Sequence, residues 1–568
     1  MRKTKVVLAK VLSAAMVISS FAGVQGITSE AAAKPKLSKK SVSITVGKTK
    51  KITVKNAKKY KVSWKMKSKK IASFKKSGKY AVKVKAKKAG KTTLTATIKK
   101  GKKTKKLVCK ITVKKNSPKV TKTPVNTPTT SPSNVPKTTA VPTATATAKP
   151  QDTTPAMKEI FKGVIDNVGT CLTYNQTWNN RKEMQDASTM EFVDKNFNSF
   201  TLENEMKPDN MLNKKTTISV ADAKAKGYVI SDDYKESTVP ELTLETIDGV
   251  LAIAKQHNIR MRAHNLMWHQ QTPTWFFKKN YDDEEAVVDE ATMNARLEFF
   301  VRTVMRYTMQ KEKELTGEVG SIVYAWDVLN EYIHRSNAAA ATTWVSVYGD
   351  MGLKPTYVKA AFEYAYDELK RENVQDKVTL FYNDYDTYFS VDDELALISY
   401  INEGEKAKIC GGIGMQSHVD IKRPTLEEYG NALKAFINAG LEVQITELDI
   451  TINFDTDDTD GRTPSYGYKN EKETDADQAA FTKDFIKQIV DIQKNLQKNR
   501  DKNKSLKGIT GITVWGISDQ TSWRGSCRPL FFTRKNVGRV KDETTGKYKP
   551  VYTYVPKKSY EAMIEALK

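Results

Sequence analysis

A chain of 568 residues is too long for one ordinary hydrophobic core, so two or more domains are expected. A formal net charge of +29 would suggest a nucleic-acid binder if the charge were evenly spread. It is not: residues 34–115 hold roughly thirty lysines and no Asp, Glu or Arg, while residues 151–568 sum to roughly −10, so nothing points to nucleic acid as a partner.

The chain begins MRKTKVVLAKVLSAAMVISSFAGV, a basic head followed by an apolar stretch rich in small residues. Ala31-Ala32-Ala33 then fits a small-residue cleavage site. Lys10 leaves an apolar run of about fourteen residues, short of the ~20 that a membrane span needs. Residues 1–33 are therefore expected to be a signal peptide, and the protein to be secreted or held at the cell surface. No other run is long enough to span a bilayer.

Residues 34–115 read as short β-branched runs, among them SVSITVG, KKITVKN, YAVKVKAK and LVCKITVKK, broken at Gly, Asn or Ser. Alternation places Val, Ile and Leu on one face and solvated Lys on the other, the pattern of a small β-sandwich. It resembles the bacterial immunoglobulin-like modules of exported proteins. The lysines serve either a soluble spacer or a surface for an anionic partner such as a cell-wall polymer, and the sequence leaves both open. Residues 116–154 are rich in Pro, Thr and Ser and nearly free of large apolar side chains, which predicts a disordered, semi-stiff linker.

From residue 155 to 568, strand-like runs alternate with amphipathic helical patterns. The runs are VIDNVGT, SFTLENEM, RMRAHNLMW, IVYAWDVLNE, TLFYNDYD, GIGMQSHV, EVQITELDI and GITVWGIS. Eight β units, each apolar early and polar at its C-terminal end, predict an α/β fold, a (β/α)₈ barrel. A doubly wound sheet would concentrate its polar strand ends at one switch point, often with a Gly-rich phosphate loop, and no such loop is present. The cysteines, Cys109, Cys171, Cys410 and Cys527, lack metal-ligand spacing. In an exported protein they leave room for one disulfide within 171–527, with Cys109 a free thiol.

In such a barrel the strand ends line the mouth of a cleft, so polar residues there point to chemistry. Glu331 ends the fourth unit, and Glu447 and Asp449 end the seventh. Two carboxyl groups across one mouth suit glycosidic cleavage, which needs a protonated acid and an anionic nucleophile or base. One strand-end Glu alone would read as a rim residue; the company around these two argues otherwise. The second unit ends in Glu203, Asn204 and Lys207; the third supplies His264, Trp268 and His269. Asn383 and Tyr385, then Gln416 and His418, follow in the fifth and sixth, and Trp515 and Trp523 in the eighth. Polar groups of these kinds hydrogen-bond sugar hydroxyls, and indoles stack on pyranose faces. Trp275 and Trp344 read as core.

The combination of ENEMK, H-x-x-x-WH-x-Q-x-P-x-W, WDVLNE, GMQSH, ITELD and a late Trp pair closely resembles glycoside hydrolase family 10 over residues 155–568. The resemblance implies a retaining endo-1,4-β-xylanase acting on xylan and xylo-oligosaccharides, with no metal or organic cofactor, and a monomer. It implies Glu331 as acid/base, Glu447 as nucleophile and Asn330 as hydrogen-bonded to the 2-hydroxyl of the sugar being cleaved. His418 would bond the nucleophile, oriented in turn by Asp449. Glu203, Asn204, Lys207, His264, Trp268, Tyr385, Gln416, Trp515 and Trp523 would line the substrate cleft. Departures are Ala263 where Gly usually precedes the histidine, Asp386 where Asn often closes NDYN, and a long stretch from about Asn213 to Leu242. A β-1,4-glucanase of similar architecture and a surface-attached xylan-binding protein are the alternatives.

Overall fold

The computed structural model describes residues 35–39, 41–57, 60–100, 103–114, 154–176, 181–452, 473–499, 505–541, 546 and 548–568. The expected signal peptide, and all but the last residue of the expected linker, lie outside them. Two compact units form, Met1–Ala146 and Thr147–Lys568.

The first unit is all-β. Strands 36–37, 49–55, 81–86 and 72–78 form one four-stranded sheet, and strands 41–45, 103–114, 90–100 and 61–66 a second. Every pairing is antiparallel except that of Ser41–Thr45 with the last strand. Ile44, Ile52, Val82, Val84, Leu94, Ile111 and Val113, drawn from both sheets, share one core. The alternation that predicts this is visible in Ala81–Ala86, where the valines are buried while Lys83 and Lys85 are exposed.

The second unit is a closed parallel barrel. Its strands are β1 (Asn167–Leu172), β2 (Ser199–Leu202), β3 (Arg260–Trp268), β4 (Val323–Asn330), β5 (Thr379–Asp384), β6 (Gly412–Met415), β7 (Glu442–Thr451) and β8 (Gly508–Val514). Each pairs in parallel with the next, and β8 pairs with β1 to close the ring. The main following helices are α1 (Ala187–Asn196), α2 (Glu245–His257), α3 (Glu290–Thr316), α4 (Thr356–Arg371), α5 (Val391–Ile401), α6 (Leu426–Asn438), α7 (Asp475–Lys498) and α8 (Lys558–Ala566). Buried on both faces, β1, β4 and β7 carry no exposed residue.

Helix starts follow local chemistry. Asp186 and Asp289 accept hydrogen bonds from the free backbone N–H groups of Thr189 and Thr292. Thr425 with Glu428, and Thr474 with Asp477, form reciprocal capping boxes. The stretch from Asn213 to Leu242 contains a small hairpin, Thr217–Ser219 with Thr238–Pro240, and a short helix, Val220–Ala225. It is anchored outside the barrel, where Tyr228 and Tyr234 pack on Phe299 of α3 and Glu236 pairs with the buried Arg296. All four cysteines are buried and free, so the disulfide that the sequence leaves room for does not form. No helix among the described residues is long and apolar enough to cross a membrane.

Candidate active site

The strand ends are where regularity fails. Pairing registers shift between His264 and Met267 on β3, between Asp327 and Leu329 on β4, and between Ile445 and Leu448 on β7. Such shifts re-aim side chains that strict alternation would turn outward. Glu331, one residue beyond β4, adopts a left-handed φ of 56°, unusual for a residue with a Cβ and typical of functional sites. Its N–H is held by the Asn383 carbonyl at 2.9 Å, and the Glu447 N–H by the Gln416 carbonyl at 2.9 Å, so neighbouring strands fix both carboxylates.

A chain of amides joins the two glutamates. Gln416 Nε2 donates to Glu331 Oε1 at 3.0 Å and to Asn330 Oδ1 at 3.3 Å. Asn383 Nδ2 donates to Asn330 Oδ1 at 2.8 Å and to Glu447 Oε1 at 2.9 Å. Trp268 Nε1 and Gln270 Nε2 donate to Glu331 Oε2 at 2.8 and 3.5 Å. On the far side, His418 Nε2 lies 3.2 Å from Glu447 Oε2, and its Nδ1 lies 2.9 Å from Asp449 Oδ2. Asp449 also accepts from Trp523 Nε1 at 3.0 Å and from Arg524 at 3.4 Å.

Both glutamates are buried, yet their proton affinities diverge. Burial pushes Glu331 up to about 7, reinforced by the Asp384 carboxylate and then by Glu447, against the hydrogen bonds from Gln416 and Trp268. Burial acts on Glu447 in the same sense but loses to the His418 hydrogen bond and to the positive influence of His264, His418 and Lys207, which bring it down to about 2. Burial opposes charge on His418 as well, but Asp449 and Glu447 hold it up at about 9. At neutral pH one carboxyl is therefore poised to give a proton while the other is an anion beside an imidazolium.

The remaining expected residues surround this pair. His264 is bonded at Nδ1 to Asp327 (2.9 Å), which is clamped by Arg262, itself bonded to Gln444 inside the barrel. Lys207 lies 4.8 Å over the Trp268 ring and 3.5 Å from Asn204 Oδ1. Glu203 is held by Arg181 at 2.6 Å. Trp515 meets His264 and His418 edge-on at 5.8 and 6.3 Å. Trp523, 39 % exposed, packs on His418 at 5.0 Å, and Tyr385 packs on His334 at 4.6 Å. His269, also a strand-end histidine, instead accepts from the Ser336 N–H and so steadies the loop after Glu331. Trp275 and Trp344 are buried, as core side chains.

Sequence reasoning missed Asp384, Gln270, Arg181 and the Arg262–Asp327 pair that backs His264. Asp384 follows Asn383 in YNDYD, so its proximity to the motif was the available signal. Strand alternation gives the two residues opposite faces. Asp384 accepts from Ile333 N–H, Tyr385 N–H, His334 and Tyr382. His334, Asp384 and Glu394 bring three metal-ligating atoms within 4.8 Å of one another, the one such group among the described residues. Asp384 is already saturated with donors, and burial together with Asp384 drives the Glu394 carboxyl well above its usual range. The group therefore suits a protonated Glu394 beside an ionised Asp384 better than a cation.

An open-mouthed (β/α)₈ barrel with paired carboxyl groups in opposite protonation states is the architecture of a glycoside-cleaving enzyme. The profile of glycosyl hydrolase family 10 matches residues 156–553, and the chain belongs to that family. It is similar to endo-1,4-beta-xylanase A of Butyrivibrio fibrisolvens, 39% identical over 360 residues that cover 63% of this chain and 77% of the relative. Endo-1,4-beta-xylanase B of the same organism is 31% identical over 377 residues, covering 63% of this chain and half (50%) of its own length. Among solved structures, the CBM22 and GH10 modules of a Clostridium thermocellum endo-1,4-beta-D-xylanase with xylohexaose align at 26% identity and a TM-score of 0.49, covering 73% of this chain and 68% of theirs.

Proposed function

We propose that the barrel unit is an endo-1,4-β-xylanase that cleaves internal xylosidic bonds with retention of anomeric configuration. The observation that carries the reading is the split between Glu331, raised to about 7, and Glu447, lowered to about 2, across one amide-linked mouth. The xylanase names of the similar proteins give the sugar.

Glu447 attacks the anomeric carbon while Glu331 passes its proton to the departing glycosidic oxygen, leaving a covalent glycosyl-enzyme and a freed chain end. Esterification removes the negative charge of Glu447. Glu331, now anionic, takes a proton from water as that water attacks the same carbon, which releases the sugar and restores both groups. Asn330 Oδ1 already accepts two hydrogen bonds, so its Nδ2 is the group left to donate to the 2-hydroxyl. His418 and Asp449 keep Glu447 ionised and oriented. Glu203, Asn204, Lys207, His264, Trp268, Tyr385, Gln416, Trp515 and Trp523 line the substrate cleft.

The test is digestion of xylohexaose, arabinoxylan and carboxymethylcellulose side by side, with the product anomer followed by NMR. Internal cleavage of the xylans with initial β-product is expected; preferential cleavage of carboxymethylcellulose, or initial α-product, overturns the reading. Glu331→Gln should lose about 10²–10⁴-fold in kcat on xylan while sparing the first step with activated aryl xylosides, which need no proton. Glu447→Ala should lose turnover of both.

We further propose an exported protein whose residues 1–33 are removed and whose lysine-rich sheets form an immunoglobulin-like module for anionic cell-wall polymers. Charge of one sign over both sheets supports the partner. N-terminal sequencing of culture supernatant, and a wall pull-down of the full chain against one lacking residues 34–115, test these points.

A further inference from the structure

Between β8 and α8 the chain makes a two-stranded antiparallel ribbon, Phe532–Lys541 with Tyr548–Pro556, that the chemistry above does not use. Its base is buried on α1, where Phe192 meets Phe532 at 4.9 Å and Tyr554 at 4.4 Å. One turn nearer the start of α1, Thr189 bonds the Tyr554 hydroxyl at 2.9 Å and Ser188 accepts from the Tyr552 N–H at 3.3 Å. Helix starts lie at the mouth side of a βα unit, so the ribbon climbs toward the mouth and its far end runs past the rim. It rises between the eighth unit, which carries Trp515 and Trp523, and the first, whose loop carries Arg181, the partner of Glu203.

Register decides what its faces present. Tyr548, Pro550, Tyr552 and Tyr554 alternate onto one face of their strand. The partner strand carries an extra residue at Val537, a bulge between Asn536 and Gly538. Paired without the bulge, the same residues would put Gly538 and Val540 on the tyrosine face. With it, Arg539 lies opposite Pro550 and Lys541 opposite Tyr548, beside Arg534 opposite Tyr554. The Arg534 guanidinium stacks 4.1 Å from the Tyr552 ring, as neighbours on one face do. Tyr548 is 68% exposed, and none of the described ribbon residues is acidic.

We propose that the outer end of this face, Tyr548 with Arg539 and Lys541, is a second polysaccharide-binding surface, outside the catalytic cleft, that takes xylan bearing uronic-acid side groups. The exposed Tyr548 ring stacks on a pyranose, and Arg539 and Lys541 pair with uronate carboxylates. A neutral chain would need the tyrosines but not a one-residue bulge that turns two cations to join them. The inference rests on the xylanase reading above.

The experiment compares the full-length protein with Arg539→Ala/Lys541→Ala and with Tyr548→Ala. Substrates are glucuronoxylan, the same polymer with its carboxyl groups reduced, and xylohexaose. The lysine-rich module is common to all and cancels. For the double variant KM should rise on the order of threefold to tenfold on glucuronoxylan, the size that two exposed ion pairs give, with no change on the other two substrates. Tyr548→Ala should raise KM on both polymers and leave xylohexaose unchanged. Equal effects of the double variant on native and reduced polymer, or none on either, overturn the proposal. Failure of the unaltered protein to cleave xylohexaose overturns the xylanase reading instead. In that case gel retardation by native against reduced polymer still judges the ribbon: a difference lost in the double variant supports it, and no difference overturns it.

Discussion

At the scale of residues, the decisive fact is that two buried carboxyl groups reach opposite ionisation states through different neighbours. Glu331 keeps its proton to about pH 7, so the alkaline limb of kcat/KM is expected near there, while Glu447 stays ionised down to about 2. After burial, Asp384 is the largest influence raising Glu331. Asp384→Asn should therefore move the alkaline limb to lower pH, as read from the pH profile of kcat/KM; an unmoved limb would leave burial as the dominant cause. The same shift has a stability consequence. Because the folded value lies above the usual 4.5, the contribution of Glu331 to the native state is fully present below 4.5 and is lost as pH rises through 7. The loss amounts to about 3 kcal/mol. Glu331→Gln removes the buried charge, so its melting temperature should exceed that of the parent more at pH 8 than at pH 5. Thermal scans at the two values check this.

At the scale of elements, the structure shows how ordinary βα units are modified only at their mouth ends. Strand patterns were legible because they depend on near neighbours in sequence, as alternation in Ala81–Ala86 does; the Thr425–Glu428 capping box at α6, which the structure shows, is equally local. Thr425→Ala should cost about 1 kcal/mol and lower the melting temperature by on the order of 2 °C or less, with xylan kinetics unchanged. Strand ends were less legible. The sequence suggests that GIGMQSHV is one run, but it breaks after Met415, and Ser417 takes a left-handed φ of 60°. That break sends Gln416 toward Glu331 and His418 toward Glu447. The ribbon bulge at Val537 is of the same kind: register belongs to a pair of strands, and one strand's residues do not specify it.

At the scale of the whole molecule, each unit has its own core, the first from two sheets and the second between barrel and helices. A chain starting at residue 154 is expected to fold and to cleave xylohexaose with kcat/KM unchanged, as measured by product release. A collapse of activity would show that the unit needs the N-terminal part. What the sequence determined by itself was the βα alternation and the polar strand ends, Glu331 and Glu447 among them, because hydrophobic period and motif spacing are local properties. What only the tertiary structure decided was the Gln416–Asn330–Asn383 link between them, the influence of Asp384, and the free state of the cysteines. Those depend on distances between segments far apart in the chain, set when β8 pairs with β1 and closes the ring.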